Sequence, residues 1–131
     1  MANAVETVRI SGLADAITGA VSEYNKDVAN GIYTEVDETA KKIRDELKVT
    51  SPRRSGKYAK GWKIQKKGGK KKPKRIVWNN KWYRIVHLLE FGHAKVNGGR
   101  VAAIPHMRPA YDKYAADLPN RIGRIIRNGG R

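Results

Sequence analysis

The chain has 131 residues, of which 40% are hydrophobic and 31% charged, and its formal net charge is +16. This length fits one domain with an economical core, and the absence of cysteine excludes disulfides, thiolate metal sites and thiol chemistry, which suits a reducing cytoplasm. No run of about 18 apolar residues occurs, so no membrane partner is expected, and the first ten residues, with Glu6 and Arg9, do not read as a secretory signal.

Residues 1–10 read as a flexible arm and 11–127 as a single domain. Leu13, Ile17, Val21, Tyr24, Val28, Ile32, Val36, Ala40, Ile43 and Leu47 recur every three or four positions. That spacing predicts an amphipathic helix roughly 50 Å long, with Ser11 or Asp15 as candidate caps. Gly31 is its weak point, where it would bend or divide into two helices. The helix should end before Ser51-Pro52, because the residue preceding proline avoids helical backbone angles. Residues 52–60 then read as a basic loop.

Trp62 and Ile64 alternate with lysines as in a strand, Gly68-Gly69 through Pro73 form a turn, and residues 75–78 return. Together these predict a basic hairpin. Residues 82–91 fit a strand or a short helix, with Tyr83, Val86, Leu89 and Glu90 at helical spacing and Gly92 as its stop. Asn97-Gly98-Gly99 is a turn and residues 100–104 a short strand. A closing helix from Met107 or Pro109 to Arg127 should be kinked or interrupted at Pro119, and 128–131 read as a disordered tail. The fold class expected is α+β: a long N-terminal helix, a small antiparallel sheet with a basic hairpin, a short helix and a C-terminal helix.

Charge is unevenly placed. Residues 1–46 hold five Lys/Arg and nine Asp/Glu, whereas residues 47–131 hold 23 Lys/Arg and three Asp/Glu. No acid lies between Glu46 and Glu90. Such a block repels itself when alone and calls for a polyanionic partner, either nucleic acid or an acidic protein surface. Lys66, Lys67, Lys70, Lys71, Lys72, Lys74 and Arg75 are the candidate contacts, laid along phosphates or against a neighbouring protein. A solvated loop tip is the plain alternative. Trp62, Trp78 and Trp82 lie near these cations, and core packing is a simpler reading for them than base stacking.

No catalytic constellation is legible. HExxH, GxSxG and P-loop patterns are absent, and His87, His93 and His106 read as ordinary histidines unless all three meet in space. No catalytic residue, cofactor or metal site is assigned. The acids of the first helix, such as Asp37 and Glu38, have basic neighbours three or four residues away, as on a solvated face. Glu90 stands alone in basic sequence between Leu89 and Phe91, and pairing with Arg54 or Arg108 would give it a structural role.

Three stretches carry a resemblance. They are Ser51-Pro52-Arg53-Arg54-Ser55-Gly56 with Gly61-Trp62, then Leu89-Glu90-Phe91-Gly92 within residues 87–93, then Ile104-Pro105-His106-Met107-Arg108-Pro109-Ala110. In this order, after a long helix, they resemble the tailed-phage neck and tail-completion (head–tail joining) proteins, over roughly residues 10–127. Their own physical reading is fold-defining. Ser-Gly gives a tight turn into a strand, Leu89 and Phe91 anchor beside a held acid, and Arg108-Pro109-Ala110 pre-sets a helical turn.

The resemblance implies a homo-oligomeric ring, a hexamer being expected, that completes the tail and joins it to the head. Its partners would be the head connector and tail-tube or tail-terminator proteins, with transient DNA contact as DNA passes through. It would reside in the virion neck, be assembled in the host cytoplasm, and have no turnover. The basic loop departs from the family pattern. Because such tail lumens are often acidic, the loop is expected to face a neighbouring protein. The alternative is a sequence-tolerant nucleic-acid-binding protein using the basic 53–75 segment.

Overall fold

The computed structural model describes residues 2–52, 56–69 and 72–131, and the side chains of residues 13 and 15 onward within them. Helix α1 spans Ala2–Thr50 as one continuous element of 49 residues, about 74 Å at 1.5 Å per residue. It begins ahead of Ser11 and Asp15, so neither residue is its cap, and the segment expected as an arm forms its first turns. Its C-terminus falls before Ser51-Pro52, as proline requires.

Gly31 does not divide the helix. A Cβ there would lie 2.7 Å from the Gly130 carbonyl oxygen and 2.9 Å from Ile125 Cγ2. The missing side chain therefore lets the C-terminal segment approach the helix backbone.

Residues 57–60, expected as loop, form a one-turn helix α2 (Lys57–Lys60) that buries Tyr58 and Ala59. Strands β1 (Trp62–Lys67) and β2 (Lys74–Asn79) make the expected antiparallel hairpin, with Trp62 opposite Asn79 and Lys67 opposite Lys74. A turn leads into helix α3 (Val86–Phe91), which resolves the strand-or-helix ambiguity in favour of helix. Gly92 ends it at φ 71°, where a Cβ would lie 2.5 Å from the Val101 carbonyl oxygen.

The strand expected over 100–104 is shorter. Strand β4 (Arg100–Val101) pairs only with β3 (His93–Ala94). The closing helix is interrupted as Pro119 demands: α4 (Met107–Tyr114) and α5 (Leu118–Arg127) are separated by a turn, with Pro119 in the first turn of α5. The sheet and helices together make the expected α+β fold.

The core gathers on the last third of α1. Leu47, Tyr58, Trp62 and Ala110 are buried together, with Ile43, Val77, Val86, Leu89 and Met107 packed around them. Each fully buried large side chain contributes roughly 1.5–3 kcal/mol.

Polar clamps join the other elements to α1. Arg121 of α5 donates to Glu35 at 2.6 Å, to Thr39 Oγ1 at 3.1 Å and to the Tyr114 carbonyl at 2.7 Å. Lys113 and Tyr114 both reach Glu46. The tail expected to be disordered is folded back. Gly130 N–H donates to the Ile125 carbonyl at 2.8 Å, and Tyr24 hydroxyl donates to the Ile126 carbonyl at 2.5 Å.

Candidate functional site

Glu90 is the hub of a buried polar network. Helix α4 starts at a histidine and has no side-chain cap of its own, so its first N–H groups need an outside acceptor. Glu90 supplies it. Oε2 accepts from His106 N–H at 2.8 Å and Met107 N–H at 3.0 Å, and Oε1 accepts from Arg108 N–H at 2.8 Å.

Burial by itself would raise the Glu90 carboxyl. The backbone N–H groups of Arg108, His106 and Met107, with His106 close by, more than offset this and hold it below its ordinary value. The positive end of the α4 dipole acts in the same direction. The expected arginine partner is thus corrected. Arg108 meets Glu90 through its backbone N–H, while its guanidinium pairs with Asp112 at 3.4 Å on the surface. The other candidate, Arg54, lies outside the described residues, as do Ser55, Lys70 and Lys71.

The network continues through His106, which is buried. Its Nδ1 faces two acceptors, the Ile104 carbonyl at 2.8 Å and Glu90 Oε2 at 3.1 Å, and so carries a proton. Its Nε2 is 2.7 Å from the Tyr58 hydroxyl. Burial, reinforced by the Glu90 charge, pushes the Tyr58 phenol up to about 12. Tyr58 therefore stays protonated and donates to Nε2.

The rings of Tyr58, Trp62 and His106 pack edge-on, with centroids 5.6–6.0 Å apart, a favourable aromatic geometry. Trp62 Nε1 donates to Ser51 Oγ at 2.7 Å, and Ser51 Oγ donates to the Leu47 carbonyl. Asn79 Nδ2 donates to the Tyr58 carbonyl at 2.7 Å, while its Oδ1 accepts from Trp82 N–H at 2.9 Å.

The structure thus brings together residues that the sequence places far apart: Ser51, Trp62, Leu89, Glu90, Gly92, the Arg108 backbone and Ala110. Pro52 follows the buried Ser51, and Gly56 (φ 76°) leads into α2. Pro105 and Pro109 flank the start of α4 and are exposed. Phe91 departs from its expected anchoring role. Leu89 packs on the core, but Phe91 is 72% exposed.

Tyr58, Asn79 and His106 were not singled out from the sequence as members of this network. The signal available was the uncapped start of α4 together with the isolated acid Glu90. The three histidines supply no metal-ligand set, since no such cluster occurs among the described residues.

The basic hairpin divides in two. Arg75, expected to be a free cation, has a side chain only 3% exposed. Its Nε donates to Asp37 Oδ1 at 3.0 Å, and its guanidinium lies 4.6 Å from the centre of the Tyr33 ring. Arg75 thereby fastens β2 to α1. Hydrogen bonds from Arg75 and Lys41 hold Asp37 below the usual carboxylate range. Lys66, Lys67, Lys72 and Lys74 are exposed, with Lys66 Nζ 3.9 Å from Asp37. Trp62 is fully buried and unavailable for stacking, whereas Trp82 is exposed.

Above the network lies an open groove of about 490 Å³, lined by Tyr83, Val86, His87, Phe91, Met107 and Tyr111 among others. A second opening of about 260 Å³ shares Met107 and Tyr111 and exposes the flank of the core. Along α1, Leu13, Ile17 and Val21 are 62%, 54% and 52% exposed. No helix among the described residues is long and apolar enough to cross a membrane.

The α+β body thus combines a buried hydrogen-bonded network around Glu90, an open groove beside it and an exposed apolar stripe along α1. Residues 15–92, more than half of the chain, match the HK97-gp10-like family, described as "Bacteriophage HK97-gp10, putative tail-component". The chain belongs to that family, which places it among bacteriophage structural tail proteins. No curated protein and no solved structure matches it.

Proposed function

We propose that this chain is a subunit of the phage neck, forming a ring that completes the tail and joins it to the head connector, with DNA passing through. The observation that carries the reading is the uncovered stripe of Leu13, Ile17 and Val21 on a helix that extends past its own body. An apolar face of this kind is stabilised by a partner, and repeated head-to-tail contacts between identical subunits close into rings.

Membership of a tail-component family supports the setting. The structural roles of Ser51, Trp62, Glu90 and His106 support assembly without turnover. The exposed lysines of the hairpin suit an acidic surface on a neighbouring ring, with surface charge guiding register. The nucleic-acid reading draws less support, because Arg75 and Trp62 are committed to the fold.

The test is genetic. Removing this protein from the phage that encodes it should leave filled heads and separate tails, visible by electron microscopy. Joined, infectious particles would overturn the proposal.

A further inference from the structure

We infer that the joint between subunits is a helix-in-groove contact: residues 13–21 of α1 in one copy lie in the Tyr83–Phe91–Tyr111 groove of the next. This inference rests on the ring reading and specifies its contact.

The stripe and the groove are both uncovered, and one chain cannot join them to each other. Helix α1 is continuous from Leu13 into the body, so the stripe cannot fold back onto α3 and α4 of its own chain. The spacing of Leu13, Ile17 and Val21 is that of the anchors an amphipathic helix lays into a groove, while Tyr24 one turn on is held by the Ile126 carbonyl of its own chain. The receiving surface offers three exposed aromatic rings: Tyr83 at 52%, Phe91 at 72% and Tyr111 at 56% exposure. Aromatic residues of this kind are the usual anchors of protein interfaces.

Charge selects a second copy as the occupant. Residues 13–25 carry Asp15 and Glu23 and no Lys or Arg. Arg108 lines the groove with its guanidinium shared with Asp112, and the Arg84 guanidinium, 5.7 Å from the centre of the Tyr83 ring, leaves the rim one positive charge in excess. An acidic helix meeting a basic rim favours this pairing over helix-to-helix or groove-to-groove contact, both of which juxtapose like charges. The contact is heterologous, with different surfaces on the two copies, as ring closure requires.

The absence of cysteine makes disulfide trapping clean. Ile17→Cys and Phe91→Cys are prepared as separate proteins of distinguishable mass, mixed and mildly oxidised. Both positions are exposed, and circular dichroism checks that each variant is folded. The mixture should yield a covalent heterodimer at least about tenfold above a control pair of Ile17→Cys with Lys63→Cys, as held proximity raises effective concentration. A discrete oligomer without this excess assigns the groove to another occupant and overturns the joint while leaving the ring intact. A monomer without the excess overturns both.

Discussion

Glu90 Oε1 accepts the backbone N–H of Arg108 at 2.8 Å, across 18 residues of sequence. With the two bonds to Oε2 it caps α4 from outside the helix. Leaving a buried donor without its partner costs about 1–3 kcal/mol, and bonds to charged acceptors are at the strong end. Glu90→Gln keeps the shape but loses the charge and turns an N–H₂ toward donors. It should lower unfolding free energy by about 2–3 kcal/mol in urea titrations. An unchanged midpoint would refute the capping role.

The same contacts set the acid limit of stability. Glu90 and Asp37 are both held below their ordinary values of 4.5 and 3.8. In the unfolded chain they take up protons at those values, while in the folded chain they resist until lower pH. Their contribution is present above the ordinary values and is lost as pH falls through the depressed ones. Tm measured from pH 7 downward should therefore drop below about pH 4.5. Glu90→Gln should flatten that drop, and an identical slope in the variant would contradict the assignment.

The opposite sign holds for Tyr58. Its phenol, pushed up to about 12 from 10.0, stays protonated in the fold while the unfolded chain ionises. Stability should be lost as pH rises between these values. Tyr58→Phe leaves His106 Nε2 buried without a donor and should cost about 1–3 kcal/mol at neutral pH. It should also remove this alkaline component, as read by thermal melts from pH 9 to 12.

Two glycines of α1 separate propensity from packing. At Gly19 a Cβ would meet nothing within 4 Å, so Gly19→Ala should stabilise by about 0.5–1 kcal/mol through helix propensity. At Gly31 the new methyl would press on the Gly130 carbonyl and Ile125. Overpacking of about 1–3 kcal/mol outweighs the propensity gain, so Gly31→Ala should lower Tm. Stabilisation by both substitutions would show that α5 and the tail do not hold α1 closely.

Much of the architecture was legible because it is local. The period of the stripe from Leu13 to Leu47, the alternation around Trp62 and the break at Pro119 each reflect the backbone geometry of one segment. What escaped was either non-local or dependent on which side of an element finds a partner. Glu90 looked like one half of an ion pair, yet its partners are backbone N–H groups, which carry no residue-type signature. Gly31 looked like a helix breaker because the segment that passes over it lies about a hundred residues later in the chain. Arg75 looked like its lysine neighbours, but its strand position turns it inward onto Asp37. The exposure of Phe91 was hidden for the same reason: a four-residue motif does not reveal which of its apolar members faces the core.

The most direct test of the proposed neck ring is the mass of the purified protein in solution, by light scattering at low and high salt, with and without DNA. A discrete oligomer of several subunits that persists without DNA is the expected result. A monomer at every protein concentration, gaining mass only when DNA is added, would contradict the ring and favour nucleic-acid binding through the hairpin lysines.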